Sequence, residues 1–130
     1  MRLAFHHDPR YRDLWAHLAL TYRIAEVYEI GCPPEIAGPW TPVESFDDVV
    51  PGRRIFFSPP DAKYSPGRVS LREYSELLYD DDVLCFGSDE QHNRFHLDLE
   101  DQLVFISTPH RTPLHAVQAA LLVLDRLTND

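Results

Sequence analysis

The sequence predicts an α/β domain: a single, mostly parallel sheet with flanking helices. Three observations lead there. Short apolar runs alternate with stretches of helical periodicity, the apolar runs end in Gly, Pro or Ser, and the chain closes on a long apolar helix. At 130 residues the chain is long enough for one substantial core and too short for two, so residues 1–130 read as one domain.

The elements follow in order. "RLAFH" (Arg2 to His6) is the first strand, and Pro9 opens a helical stretch to about Tyr22, with Tyr11, Leu14, Trp15, Leu18 and Tyr22 at helical spacing. "AEVYEI" (Ala25 to Ile30) is the second strand. The Pro- and Gly-rich segment from Gly31 to Pro42 reads as an extended loop, and Ser45 to Val49 as at most a short helix. "RRIFF" (Arg53 to Phe57) is the third strand, followed by the loop "SPPDAKYSPG" and a helical turn around Leu71 to Leu78. The fourth strand spans Val83 to Phe86, and "LVFIS" (Leu103 to Ser107) is the fifth. In the last helix Leu114, Val117, Leu121 and Leu124 form one apolar face, widened by Leu122 and Val123, a breadth expected of a helix that also meets a second subunit.

Composition narrows the function. A net charge of −9 opposes binding to a polyanion unless arginines gather locally, and the available ones are Arg2, Arg10, Arg12 and Arg23, then Arg53, Arg54 and Arg68. The acidic run Asp80 to Asp82 reads as a solvated turn before an apolar strand. Cys32 and Cys85 have neither disulfide-framework nor zinc-knuckle spacing. No apolar run has membrane-spanning length, and the first residues turn polar too soon for a signal peptide, so a cytoplasmic location is expected.

Parallel sheets bind ligands at the carboxyl ends of their strands, which directs attention to the loops after Phe57, Phe86 and Ile106. The second of these begins "VLCFGSDEQ" (Val83 to Gln91), where a buried strand stops at Gly87, a residue that lets a backbone come close to a ligand. His6, His7 and Asp8 stand at the end of the first strand, also within reach of a ligand. His110, Arg111 and His115 bracket the last loop, where a helix start and a cation suit an anion. His92 and His96 are four apart with Asp89 and Asp98 near, but "EQHNRFHLDLED" has no helical apolar face to align them, so no metal is expected. There is no G-x-S-x-G elbow, no Walker loop and no G-x-G-x-x-G fingerprint.

"AEVYEI" after the first helix, "VESFDDVV" before the third strand, "DVLCFGSDE", and "LVFISTPHRTPLHAVQAALLVLDRL" together resemble the SPOUT superfamily of S-adenosylmethionine-dependent RNA methyltransferases. The chain looks most like the small single-domain branch that methylates ribose 2′-hydroxyls of tRNA. The resemblance implies a carboxy-terminal trefoil knot, a homodimer with active sites shared between subunits, and RNA as the partner. Carried over by position, it implies cofactor contacts at Ser58, Gly87, Ile106, Pro113 and Leu114. The family's Asn and Arg on the first helix fall at Tyr11 and His17. Its loop glutamate is Asp89, the glycine after it His92, and the Ser and Asn of its last motif Pro113 and His115. His17, Asp89 and His115 are therefore the residues left for chemistry or substrate positioning, histidine being able to act as a base near neutral pH but not as a permanent cation. The lost Asn and Arg leave open a second reading, a non-catalytic SPOUT-fold protein that binds the cofactor or a protein partner.

Overall fold

The computed structural model describes residues 1–36, 38–49, 52–58, 69–87, 97, 100–106 and 114–128. Among them, seven strands form one sheet: β1 (Arg2–His6), β2 (Glu26–Ile30), β3 (Thr41–Val43), β4 (Arg54–Ser58), β5 (Val69–Ser70), β6 (Val83–Phe86) and β7 (Gln102–Phe105). Their spatial order is β3-β2-β1-β6-β4-β7-β5, and every neighbouring pair is parallel. The helices are α1 (Arg12–Thr21), α2 (Leu71–Ser75) and α3 (Ala116–Thr128). The mostly parallel α/β domain expected from the sequence is thus observed. The expected knot involves the loops after β6 and β7, whose residues 88–96 and 107–113 lie outside the described ones.

Strand side chains alternate between faces, and the two faces are covered differently. Leu3 and Phe5 of β1, Ile55 and Phe57 of β4, Leu84 and Phe86 of β6 and Val104 of β7 point to one side. There they pack with Trp15, Leu18 and Ala19 of α1, Leu71 and Tyr74 of α2, and Val117, Ala120, Val123 and Leu124 of α3. The intervening residues Ala4, Phe56, Val83, Cys85 and Leu103 form a second, thinner core with Ile30 and Val49, against which Phe46, Tyr28 and Val43 lie. Phe46 begins a single 3-10 turn, Phe46–Asp48, closed by a capping box between Ser45 and Asp48. This is the short helix expected between Ser45 and Val49.

Several expectations need correction. The apolar stripe of α3 runs through Val117, Ala120, Val123 and Leu124, while Leu114 and Leu121 are exposed. Ala120 lies at the middle of this buried stripe, Leu121 falls to one side of it, and Leu114 precedes the first residue of the helix. Helix α1 begins at Arg12 and not at Pro9, and its Leu14 is exposed. Two strands were not expected, β3 and β5, one at each edge. They are three and two residues long, and β3 contains Pro42, which has no N–H to give a further strand.

The acidic run before β6 also needs correction, at Asp82. This residue is fully buried, not solvated: Arg53 donates Nε and Nη2 to its two carboxylate oxygens at 3.0 and 2.8 Å, and the Tyr74 hydroxyl donates at 2.6 Å. Burial, reinforced by that carboxylate, pushes the Tyr74 phenol well above its usual range. Arg54 and Asp101 form a second buried pair, Nη2 to Oδ2 at 2.6 Å, with side chains only 4% and 3% exposed. The pair ties β4 to the entry of β7. Asp101→Ala is expected to lower stability by about 3–5 kcal/mol in urea unfolding, because Arg54 stays buried without its main counterion. Arg54→Met with Asp101→Leu should recover most of the loss, and a wild-type midpoint for Asp101→Ala would contradict this reading of the pair.

Candidate functional site

Parallel pairing brings the carboxyl ends of all strands to one edge. At that edge β6, β4 and β7 are adjacent, with Gly87 following β6, Ser58 closing β4 and Ile106 following β7. Gly87 and Ile106 are buried. A small cleft of about 30 Å³ opens beside Gly87, lined by His6, His7, Asp8, Tyr11, Trp15, Ala116 and Val117. Its apolar wall is aromatic: Trp15 stacks on Phe5 with ring centres 4.0 Å apart and stands 6.0 Å from Phe86, which in turn stacks on Phe57. A larger depression of about 380 Å³ lies at the opposite edge of the sheet, lined by Met1, Arg2, Ala25, Glu26, Gly52, Asp80 and Asp81. It opens at the amino ends of the strands, where parallel sheets do not usually place their ligands.

The polar side of the cleft is a network of residues brought together from β2, α1 and the end of β1, which no local sequence pattern announces. His7 and Glu29 have the same strand parity as Phe5 and Val27, so both side chains face the helical layer. His7 Nδ1 and Glu29 Oε2 are 2.8 Å apart. Arg12, in the first turn of α1, reaches Glu29 Oε2 with Nε and Oε1 with Nη2, each at 3.2 Å. Its Nη2 also donates to the Gly38 carbonyl at 3.1 Å, and its guanidinium lies 5.0 Å from the centre of the Trp40 ring. Glu29 is 1% exposed. Burial alone would push its carboxyl up, but hydrogen bonds from Arg12, His7 and Cys32 outweigh this and hold it below its usual value. For Cys32, burial and then the Glu29 carboxylate push the thiol up. Burial likewise lowers His6, whose ring meets Phe46 edge-on at 5.2 Å on the other side of the sheet.

The sequence-derived residues are distributed as follows. Gly87 lines the cleft, and Ile106 and the backbone of Ser58 stand at the neighbouring strand ends. His115 lies next to the cleft: its ring centre is 5.2 Å from that of Tyr11, and its N–H donates to Gln118 Oε1 at 2.9 Å. Leu114 is exposed just before α3. His17 is exposed on α1 and is not among the cleft residues. Asp89 and Pro113, like His92 and His96, lie outside the described residues. The signal for Glu29 was available as the one carboxylate inside the otherwise apolar second half of "AEVYEI", but a strand pattern does not say which cation answers it.

Most of the arginines considered for an RNA patch are engaged. Arg2, Arg10, Arg12, Arg53 and Arg54 each form an ion pair, with Glu26, Asp8, Glu29, Asp82 and Asp101 respectively. Arg23 is exposed, and Arg68 lies outside the described residues.

A carboxyl held below its ordinary value binds its proton less tightly in the folded chain than in the unfolded one. The stability contributed by Glu29 is therefore present in full above the unfolded value of about 4.3 and is lost as pH falls through the lower folded value. Urea midpoints measured between about pH 6 and pH 3 should decline less steeply for Glu29→Gln than for the wild type. Equal slopes would contradict the assignment. Both cysteines are free and buried, and burial raises both thiols. Ellman's reagent is thus expected to react with the native chain at least about tenfold more slowly than with the urea-unfolded chain.

No family model matches the sequence, and no curated protein matches it. Solved structures do match in fold. A probable methylase family protein from Haemophilus influenzae Rd KW20 superposes with a TM-score of 0.72 at 16% identity, over 97% of this chain and 64% of that one. TrmJ from Z. mobilis ZM4 superposes with a TM-score of 0.69 at 12% identity, over 99% of this chain and 68% of that one. A structure described as giving insight into the 2-OH methylation of C/U34 on tRNA superposes with a TM-score of 0.70 at 18% identity, over 97% and 87%. The chain thus spans about two-thirds of the first two proteins. At such identities the likeness is one of fold, and the fold is that of the SPOUT RNA methyltransferases.

Proposed function

We propose that this chain, folded as a SPOUT RNA methyltransferase, transfers a methyl group from S-adenosylmethionine to RNA, with a ribose 2′-hydroxyl of tRNA as acceptor. The observation that carries the reading is the adjacency of three strand ends, β6, β4 and β7, with a buried glycine after β6. Three neighbouring strands span about 10 Å, the scale of a nucleoside.

The residues present fit the cofactor. Gly87 offers backbone with no side chain in the way, Ile106 is apolar and buried, and no described residue at these three strand ends brings a charge. Ser58, Gly87, Ile106, Pro113 and Leu114 would hold it. When bound, S-adenosylmethionine supplies an activated methyl group on a positively charged sulfur. The chain itself orients the acceptor and excludes water with the Trp15, Phe86 and Val117 wall.

Exposed Leu121 on α3, with exposed Leu114 just before the helix, supports a homodimer through the outer side of α3. With most described arginines paired, RNA phosphates are left to the exposed Arg23, Arg72 and Arg126 and to basic residues outside the described segments. The same pairing, with the −9 charge, favours the second reading, a non-catalytic protein that keeps a cofactor pocket or binds a protein partner.

Calorimetric titration with S-adenosylmethionine and S-adenosylhomocysteine separates these readings from an empty scaffold. Micromolar binding, on the order of −8 kcal/mol, is expected, and Gly87→Val should weaken it at least about tenfold with the circular dichroism unchanged. No heat and no thermal shift with either ligand would contradict the cofactor pocket. Light scattering should give a dimer for the wild type and a monomer for Leu121→Glu. A monomeric wild type would remove the α3 interface.

A further inference from the structure

We propose that His7 is the general base that takes the proton of the acceptor hydroxyl, with Glu29 and Arg12 as its positioning residues. The inference rests on the methyltransferase reading above and adds the group that activates its substrate.

Arg12 anchors the arrangement. Its guanidinium touches both oxygens of Glu29, and the Gly38 carbonyl and the Trp40 ring hold it there. That contact keeps a fully buried carboxylate ionised, and an ionised carboxylate only accepts hydrogen bonds. The 2.8 Å contact with His7 therefore requires the proton on Nδ1. In its neutral form the ring then carries its lone pair on Nε2, and His7 lines the cleft beside Gly87. Among the described residues Nε2 has no hydrogen-bond partner. A carboxylate that orients an imidazole, which in turn presents its other nitrogen to a reacting hydroxyl, is the arrangement by which histidine acts as a base.

The step balances. The acceptor O–H bond breaks as an Nε2–H bond forms. The electron pair left on oxygen takes up the methyl group, whose bond to sulfur breaks with its electrons remaining on sulfur. The imidazolium, stabilised by Glu29, later returns its proton to solvent. Among the described residues, the charged and titratable groups around the ring are Glu29 and Cys32 from β2 and the loop after it, Arg12 from α1, Tyr11 just before it, and the chain neighbours His6 and Asp8, the latter paired with Arg10.

His7, Glu29 and Cys32 also place ligand atoms within 4.8 Å of one another, close enough for a metal ion. Arg12 argues against that use. Its fixed charge occupies both carboxylate oxygens that a cation would need.

The test uses the full chain with 15N-labelled histidine. Two-bond proton–nitrogen spectra, with His7 assigned through the signals that His7→Gln removes, should show the Nδ1–H tautomer at neutral pH. Glu29→Gln should change the tautomer ratio. His7→Gln should keep S-adenosylhomocysteine affinity within about twofold yet lower methyl transfer to total tRNA at least about 100-fold. The acid limb of the wild-type rate should follow the His7 titration seen by NMR, shift in Glu29→Gln and return toward wild type in Glu29→Asp. A dominant Nε2–H tautomer, transfer by His7→Gln within about tenfold of wild type, or stoichiometric zinc retained through EDTA dialysis would overturn the assignment. If those results come with intact S-adenosylhomocysteine binding, only the role of His7 fails. A wild type that binds S-adenosylhomocysteine but transfers nothing to tRNA overturns this acceptor and the role with it. A wild type that does not bind it overturns the functional reading itself.

Discussion

Parallel strand pairing is the constraint from which the rest of this structure follows. In a sheet where every neighbour runs the same way, all carboxyl ends gather at one edge and all amino ends at the other. The interior strands must then be apolar on both faces, as the wholly buried β6 is. Charge is pushed to the two edges, and there it pairs. Asp82 with Arg53 and Asp101 with Arg54 hold the amino edge, while Glu29 with Arg12 and His7 holds the carboxyl edge.

The edges differ in what they leave over. At the amino edge the Asp82 carboxylate is saturated by Arg53, the Tyr74 hydroxyl and the Tyr79 N–H, an arrangement that fixes structure. At the carboxyl edge the network ends on an imidazole that borders a cleft, next to a glycine and an aromatic wall. A buried carboxylate is costly without partners. Here the partners also orient a titratable ring, so the same hydrogen bonds that stabilise the edge can serve chemistry there.

Much of this was legible in the residues. The five longer strands announced themselves by apolar runs bounded by Gly, Ser or Pro, and Gly87 lines the cleft at the end of the buried β6. The edge strands were not legible, since Thr41-Pro42-Val43 and Val69-Ser70 are too short to show a period and exist because a neighbour offers hydrogen bonds. The α3 stripe was legible at Val117, Val123 and Leu124 but not at Ala120 and Leu121, where the small residue is buried and the larger one exposed, because size alone does not say which side of a helix meets the sheet. Asp82 looked solvated beside Asp80 and Asp81, and its burial depends on Arg53, 29 residues away, and on Tyr74 and the Tyr79 N–H. For the same reason the site was half visible: His7 stood out at a strand end, but its pairing with Glu29, 22 residues away, is a property of strand register.

A nucleoside held at the carboxyl edge around Gly87 would protect that edge, and amide hydrogen exchange with and without S-adenosylhomocysteine reads this directly. Slowed exchange is expected in peptides covering residues 83–87 and 102–106, and none in those covering 25–28 and 78–82. Protection at the amino edge, or unchanged exchange throughout at saturating ligand, would contradict binding at the carboxyl edge.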